Sequence, residues 1–307
     1  MPQQSLVSVV IATNRDSPFL AEAIASVVAQ SYPEWELIVV DNGVPEPASV
    51  HRLVDAVPRG RVLEVPPPVT VSLARNVGAS QARGEYLVFL DDDDTWHPER
   101  LARQVSALSS VVSAPASYCG GWHMDAAGAA FPPSWPATPA SADDMLSGRG
   151  RMPHICGAMM IRRASFAEVG GFSPELTMME DFELALRLAQ RGGLVCVPDE
   201  LVGYRRHGGN ATSTALPNAR VRRDAIDGVL SRHAWAARAR GDDETAALLD
   251  EHRALERSRA AQEAASATLW ALRRMRGADV LREVRWGVSH DPRAFVGAVV
   301  RRLVRRR

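Results

Sequence analysis

Four consecutive aspartates, Asp91-Asp92-Asp93-Asp94, close the run Glu85-Tyr86-Leu87-Val88-Phe89-Leu90 and stand directly before Thr95-Trp96. At about 4 Å, each like-charged pair costs about 4 kcal/mol at an effective dielectric near 20, so the cluster demands a counter-charge. A hard divalent cation with oxygen ligands would supply one. A solvated acidic turn, or helix capping by Asp94 or Thr95 ahead of Pro98, is the alternative reading of the same residues. An EF-hand loop is excluded by spacing: counted from Asp91, its glycine position holds Trp96 and its glutamate position Ala102. A second acidic pair, Glu180-Asp181, opens the run that ends at Arg191. There a helix dipole would keep a carboxylate ionised and make it less basic, and dipole complementation alone would account for both acids. His207, in the loop His207-Gly208-Gly209-Asn210, is either a solvated imidazole or a metal ligand.

The elements that must position these groups follow from periodicity. Tyr86–Leu90 is apolar without alternation, as in a strand buried on both faces of a parallel sheet, and open α/β sheets place ligand crevices beyond the carboxyl ends of such strands. Leu6–Ala12 and Trp35–Val40 read as two further buried strands, ending in Thr13 and in Asp41-Asn42-Gly43. Between them Ser17-Pro18 signals a helix start, with Leu20, Ile24, Val27 and Val28 as its apolar face, which makes a βαβ unit. Arg61–Val65 is a shorter strand before three prolines, and Ser72, as cap, opens a helix to Arg83 that leads into the aspartate strand. Thr13, Asp41 and the aspartates thus fall on one edge of one sheet. Further on, a helix is expected from Pro98 to Ser109, a strand to Cys119, a turn at 126–128 and an irregular loop over 131–139. A buried strand follows over 155–161, then a turn at Gly170-Gly171-Phe172-Ser173-Pro174 and a helix over Glu180–Arg191 stopped by Gly192-Gly193. Short strands are expected at 194–197 and 201–204. From about residue 216 alanine, arginine and glutamate dominate and strand signals end, which predicts two or three helices and a division into residues 1–215 and 216–307.

A chain of 307 residues, 46% of them hydrophobic, can bury one sizeable α/β core and carry an appendage. Its formal net charge is zero, which argues against nucleic acid as the main partner. Every basic residue is arginine, so Schiff-base chemistry and lysine-built phosphate loops are excluded. Cys119, Cys156 and Cys196 lack zinc or redox spacing and suit a reducing, cytoplasmic compartment. Asn210-Ala211-Thr212 fits a glycosylation sequon, which in such a compartment is chance. No apolar run reaches the roughly 18 residues of a membrane span. The basic and apolar stretch 295–307 suits peripheral contact with an anionic membrane surface, or a packing helix with a solvated tail.

Taken together, the motifs resemble family 2 glycosyltransferases of the GT-A fold, a Rossmann-like, mostly parallel sheet flanked by helices. The resemblance covers residues 5–212 and is carried by several stretches: Val7-Ser8-Val9-Val10-Ile11-Ala12-Thr13, Ala23-Ile24-Ala25-Ser26-Val27, the run from Gln30 to Asp41, Ala74-Arg75-Asn76-Val77-Gly78, Ala82-Arg83-Gly84-Glu85-Tyr86 with the aspartates, Gly170-Gly171-Phe172 and Glu180-Asp181. Ala12 stands where a proline is usual and Asn42 where a second aspartate is frequent. The resemblance implies inverting transfer of a sugar from a nucleotide-diphosphate donor to a sugar, lipid or small-molecule hydroxyl. The products would be polysaccharide, glycolipid or a glycosylated natural product. Thr13 and Asp41 would meet the nucleotide; a carboxylate there can accept the imide N–H of uracil or thymine, which favours UDP or dTDP. Arg75 would lie near base or phosphates. Asp91, Asp92 and Asp93 correspond to the D-x-D region, with Asp93 a ligand of Mg²⁺ or Mn²⁺, Asp91 and Asp92 on the ribose or the metal's waters, and His207 completing the site. Asp94 would cap the next helix. Asp181 matches the general base and Glu180 would complement the dipole or hold the acceptor. Trp122, His123, Trp135 and His154 could line the acceptor side or be core residues.

Two other classes compete. A sugar-phosphate nucleotidyltransferase would call for a glycine-rich loop after the first strand and basic residues, usually lysine, on the triphosphate, whereas Ala12-Thr13-Asn14-Arg15 has no glycine and the chain no lysine. A non-catalytic sugar-nucleotide-binding module would leave Asp181 dispensable. A glycosidase would leave polar residues at three strand ends unexplained.

Overall fold

The structure, a computed structural model, describes residues 5–66, 69–153, 156–210, 215–274 and 276–304, with the side chains of 215–219 excepted. The chain divides into two compact units, Met1–Met145 with Gly150–Ser213, and Leu146–Arg149 with Thr214–Arg307.

The first unit is built on β1 (Val7–Thr13), α1 (Leu20–Val28), β2 (Trp35–Asp41), α2 (Pro47–Asp55), β3 (Gly60–Glu64), α3 (Val71–Ser80) and β4 (Tyr86–Asp91). There follow β5 (Thr95–Trp96), α4 (Arg100–Ser109), β6 (Ala116–Met124), β7 (Ala130–Trp135), α5 (Ala142–Leu146), β8 (Met159–Arg162), α6 (Arg163–Glu168), α7 (Glu180–Ala189) and β9 (Val195–Arg205). The strands form one sheet in the order β3-β2-β1-β4-β8-β6-β9-β5, with β7 on β6. The half from β3 to β4 is parallel, as the unbroken apolar runs imply. Beyond β4 the sheet is mixed: β8 is antiparallel to both β4 and β6, while β6 and β9 are parallel. Register sets Thr13 opposite Asp41 and Ala12 opposite Asp91, so the three polar strand ends share one edge as expected.

Helix α3 lies close on β1 and β2. A Cβ on Gly78 would come within 2.5 Å of Val10 Cγ1 and 2.9 Å of Val40 Cγ2, so only a bare backbone permits this approach. That seating fixes where Arg75, one turn earlier, can reach.

Several local expectations change. The α3 cap is Thr70, whose hydroxyl accepts from Leu73 N at 3.2 Å, while Ser72 donates to the Leu176 carbonyl. Helix α1 begins two residues after Pro18, and Val28 faces outward. Pro47 starts α2, a helix that periodicity missed although Val50 and Val54 are buried at its i, i+4 spacing. The stretch read as a loop over 131–139 opens as β7, since β6 offers a ladder that its prolines tolerate at an outer position. The strand read over 155–161 is regular only at Met159–Arg162, and the two short strands near 200 are one strand with register shifts against β6.

Among the described residues the second unit holds four helices rather than two or three: α8 (Ala215–Ala239), α9 (Asp243–Arg273), α10 (Gly277–His290) and α11 (Pro292–Val304). Asp242 caps α9 by accepting from Thr245 N at 3.1 Å. Ala261, Ala264 and Ala265 on α9 let α11 approach through Phe295 and Ala298. Arg223 joins α8 to Glu256 and Glu263 of α9, and Arg253 returns to Asp227. No described helix is long and apolar enough to cross a membrane.

Gly78→Ala is expected to destabilise the chain by about 1–3 kcal/mol through overpacking against Val10 and Val40. Urea denaturation of the purified variant measures it.

Candidate active site

At the end of β4 the four aspartates are held by partners from several segments, Arg15 serving two of them. Asp91 Oδ1 accepts from Arg75 Nη2 at 2.5 Å. Asp92 accepts from Thr13 Oγ1 at 2.6 Å and from Arg15 Nη2 at 2.8 Å. Asp93 Oδ2 accepts from Arg15 Nη2 at 2.8 Å and lies 2.9 Å from His207 Nε2. Asp94 Oδ1 accepts from Arg205 N at 2.9 Å. Arg205 is wholly buried, and its guanidinium also donates to the Asp93 carbonyl and to Glu22 Oε2 while lying over the Phe19 ring. Asp94 therefore does not cap the following helix; its carboxylate holds the start of the 206–210 loop against the tetrad. Burial, with Asp91 beside both, raises the pKa values of Asp93 and Asp94 above the ordinary carboxylate value.

Arg75 carries the connection to α7. Its buried guanidinium donates to Asp91 and, through Nη1, to Glu180 Oε1 at 2.8 Å. Burial disfavours its charge, but Asp91 and Glu180 outweigh that and hold its pKa well above the usual value. Arg75 is thus a buried ionic bridge, neither a surface pair nor a group spread into an open cleft. Asp181 follows Glu180 in the first turn of α7, with its own Oδ1 taken by Phe182 N at 2.7 Å. Met179, before them, adopts left-handed backbone at φ 65°, a costly conformation for methionine that sets how the helix opens. The pull of the helix terminus, felt through the Phe182 N–H, is outweighed: burial first, then the adjacent Glu180 charge, push the Asp181 pKa up to about 7.

Thr13 and Asp41 stand at neighbouring strand ends, both buried. Asp41 Oδ1 accepts from Gly43 N and Val44 N at 2.9 and 2.8 Å, shaping the loop after β2. Among the described residues no three His, Cys, Asp or Glu side chains gather as a metal cage. His207 Nε2 instead contacts Asp93 Oδ2 directly, with Asn210 Nδ2 3.4 Å from the same oxygen. Mg²⁺ is usually held by one or two carboxylates and completed by substrate phosphates, so this donor set fits such an ion together with a diphosphate, once Arg15 releases Asp93.

Residues 8–170, more than half of the chain, match the family described as Glycosyl transferase family 2. The chain belongs to that family. Among similar proteins is the O-antigen biosynthesis protein RfbC of Myxococcus xanthus, 27% identical over 222 residues, which are 70% of this chain and 17% of RfbC. Another is the putative colanic acid biosynthesis glycosyl transferase WcaA of Escherichia coli strain K12, 26% identical over 195 residues, 63% of this chain and 69% of WcaA. The fold is shared with S. aureus TarS, solved as residues 1–349 in complex with UDP-GlcNAc: TM-score 0.58 at 16% identity, covering 82% of this chain and 91% of that one.

In this family 2 chain the sequence motifs brought together are Thr13, Arg75, the tetrad, Glu180-Asp181 and His207. The aromatic candidates form a separate cluster. His123 is buried against Trp135, Phe131 and Tyr204, with ring centroids 4.7, 5.7 and 5.9 Å away, and burial lowers its pKa. Trp122 covers the Gly203 backbone, where a Cβ would meet its ring at 2.8 Å. His154 lies outside the described residues. Sequence reasoning passed over Arg15 and Arg205. Arg15 follows a strand end that already carried Thr13, a position that could have marked it; Arg205 had no signal beyond sitting two residues before His207.

Removing the bridge with Arg75→Leu leaves Asp91 and Glu180 facing each other, at a cost of about 3 kcal/mol, the low end for a broken buried pair because Asp91 keeps some water. Adding Glu180→Gln should recover part of it in urea denaturation. The raised pKa of Asp181 means that the folded chain binds its proton more tightly than the unfolded one. That contribution is full below about pH 4 and is lost as pH rises through about 7. Calorimetric Tm values should therefore fall less over this interval in Asp181→Asn than in the wild type.

Proposed function

We propose that this chain is an inverting glycosyltransferase that moves a sugar from UDP or dTDP to a hydroxyl of a growing polysaccharide or related glycoconjugate, with Mg²⁺ or Mn²⁺ as cofactor. One observation supports the reading: Arg75 joins Asp91, at the end of β4, to Glu180, beside Asp181, so the candidate base stands one ionic link from the acidic tetrad. Both of the relatives above bear polysaccharide names, and the donor class is the one bound in the TarS complex. The unpaired cysteines favour a cytoplasmic location.

Asp181 takes the proton of the acceptor hydroxyl as its oxygen bonds to the anomeric carbon, from the face opposite the nucleotide diphosphate. The bond from that carbon to the diphosphate breaks, and the leaving group departs with the electron pair. A base with a pKa near 7 is matched to neutral pH, and burial of Asp181 supplies that match. Asp93 and His207, with Asp91 nearby, would hold the cation, which neutralises charge on the leaving diphosphate. Arg15, tied to Asp92 and Asp93, would offer its guanidinium to the donor phosphates. Thr13 and Asp41 receive the nucleoside. Arg75 positions: it cancels charge on Asp91 and Glu180 so that Asp181 remains the group with proton affinity at the cleft.

Thermal-shift screening of UDP-, dTDP- and GDP-sugars with and without Mn²⁺ should give stabilisation by one nucleotide class, dependent on metal. Asp181→Asn should lose about 10²–10⁴-fold in transfer or donor hydrolysis while keeping that donor shift. Full activity in Asp181→Asn, or no shift with any donor, would leave a binding module for another ligand.

A further inference from the structure

We propose that the second unit docks through α11 on a bilayer surface that carries anionic lipids. Helix α11 needs one apolar face to pack in its own unit, and Phe295 and Ala298 supply it against Ala261, Ala264 and Ala265 of α9. It carries a second one. Val296, Val300, Leu303 and Val304 recur at i, i+4, i+7 and i+8, and are 56%, 52%, 56% and 66% exposed. Among the described residues nothing in the unit covers this stripe. Helix α10 adds Leu281 and Val288, exposed and two turns apart. Scattered apolar side chains are ordinary on a protein surface, but a continuous helical stripe marks an interaction face.

Charge decides what that face meets. Residues 273–307 hold eleven arginines against Asp279, Glu283 and Asp291, a net of +8 in a chain whose total is zero, so residues 1–272 carry a net of −8. The separation is a property of this segment, not of the composition. Arg293 and Arg301 border the apolar stripe, and neither they nor Arg285 has an ion pair among the described residues. Arginine stems can lie along acyl chains while their guanidinium heads stay at the headgroup level. A helix too short and too charged to span, apolar on its outer face and edged with unpaired arginines, has the chemistry of an interfacial helix on an acidic bilayer. The chain's own acidic remainder would be repelled by the same surface, which favours contact through this end alone. Docking of this kind is independent of the transfer reaction and would hold in an inactive variant.

Sedimentation of the full chain with sonicated vesicles tests this. Vesicles of phosphatidylcholine with roughly a third phosphatidylglycerol should bring the protein down about tenfold more effectively than phosphatidylcholine alone, and raising salt should release it. Val296→Glu with Val300→Glu, both at exposed positions, should abolish most of the sedimentation with far-UV circular dichroism and donor-induced thermal shift unchanged. Arg293→Glu with Arg301→Glu should lose the preference for acidic vesicles. Equal binding to both vesicle types, binding untouched by the valine substitutions, or no binding to either overturns the proposal. A dimer in light scattering that Val300→Glu splits, with nothing sedimented by vesicles, would overturn it in favour of a second copy of the chain.

Discussion

Four carboxylates end one buried strand, and the rest of the first unit is arranged so that they can coexist. Uncompensated, they would repel one another by several kcal/mol in a partly buried setting. Each is answered from a different part of the chain: Asp91 by Arg75 on α3, Asp92 by Thr13 and Arg15 after β1, Asp93 by Arg15 and His207, and Asp94 by the backbone of Arg205. Electrostatic need therefore acts as a topological constraint, drawing segments from residues 13 to 210 to one sheet edge.

The same arrangement explains why the site is poised rather than fully neutralised. Arg75 is shared between Asp91 and Glu180 and only partly offsets Asp181, which burial and the adjacent Glu180 charge push towards neutrality. A base suited to neutral pH arises without any special residue, from the order in which cations are allotted. Arg15 and His207 both rest on Asp93 Oδ2, so a single oxygen of the cluster answers two segments of the chain. Packing holds this in place. Gly78 lets α3 settle on β1 and β2 closely enough for Arg75 to reach both acids, and Met179 gives up a comfortable backbone conformation to aim the first turn of α7.

Much of this was legible in the chain itself. Apolar runs without alternation gave the parallel strands, and their polar ends named Thr13, Asp41 and the tetrad as edge-mates, because side-chain period and chain direction are local properties. The acids of α7 and the histidine of the late loop were visible as residue types. What eluded reading were groups whose roles depend on distant partners. Asp94 looked like a cap, since an aspartate before a proline ordinarily is one, and became the anchor of Arg205. The prolines of 132–133 suggested a loop, although an available partner strand made them part of β7. His123 and Trp135 read equally as acceptor-facing aromatics or as core residues, and only the fold shows that they pack on each other.

The sequence by itself determined the sheet edge, the family and the acidic end of β4, since these rest on periodicity and on motifs a few residues long. Only the tertiary structure decided which cation faces which carboxylate, and with it the basicity of Asp181. A pKa is set by burial and by charges brought together across the fold, here between residues 75, 91, 180 and 181, and no spacing along the chain encodes that meeting.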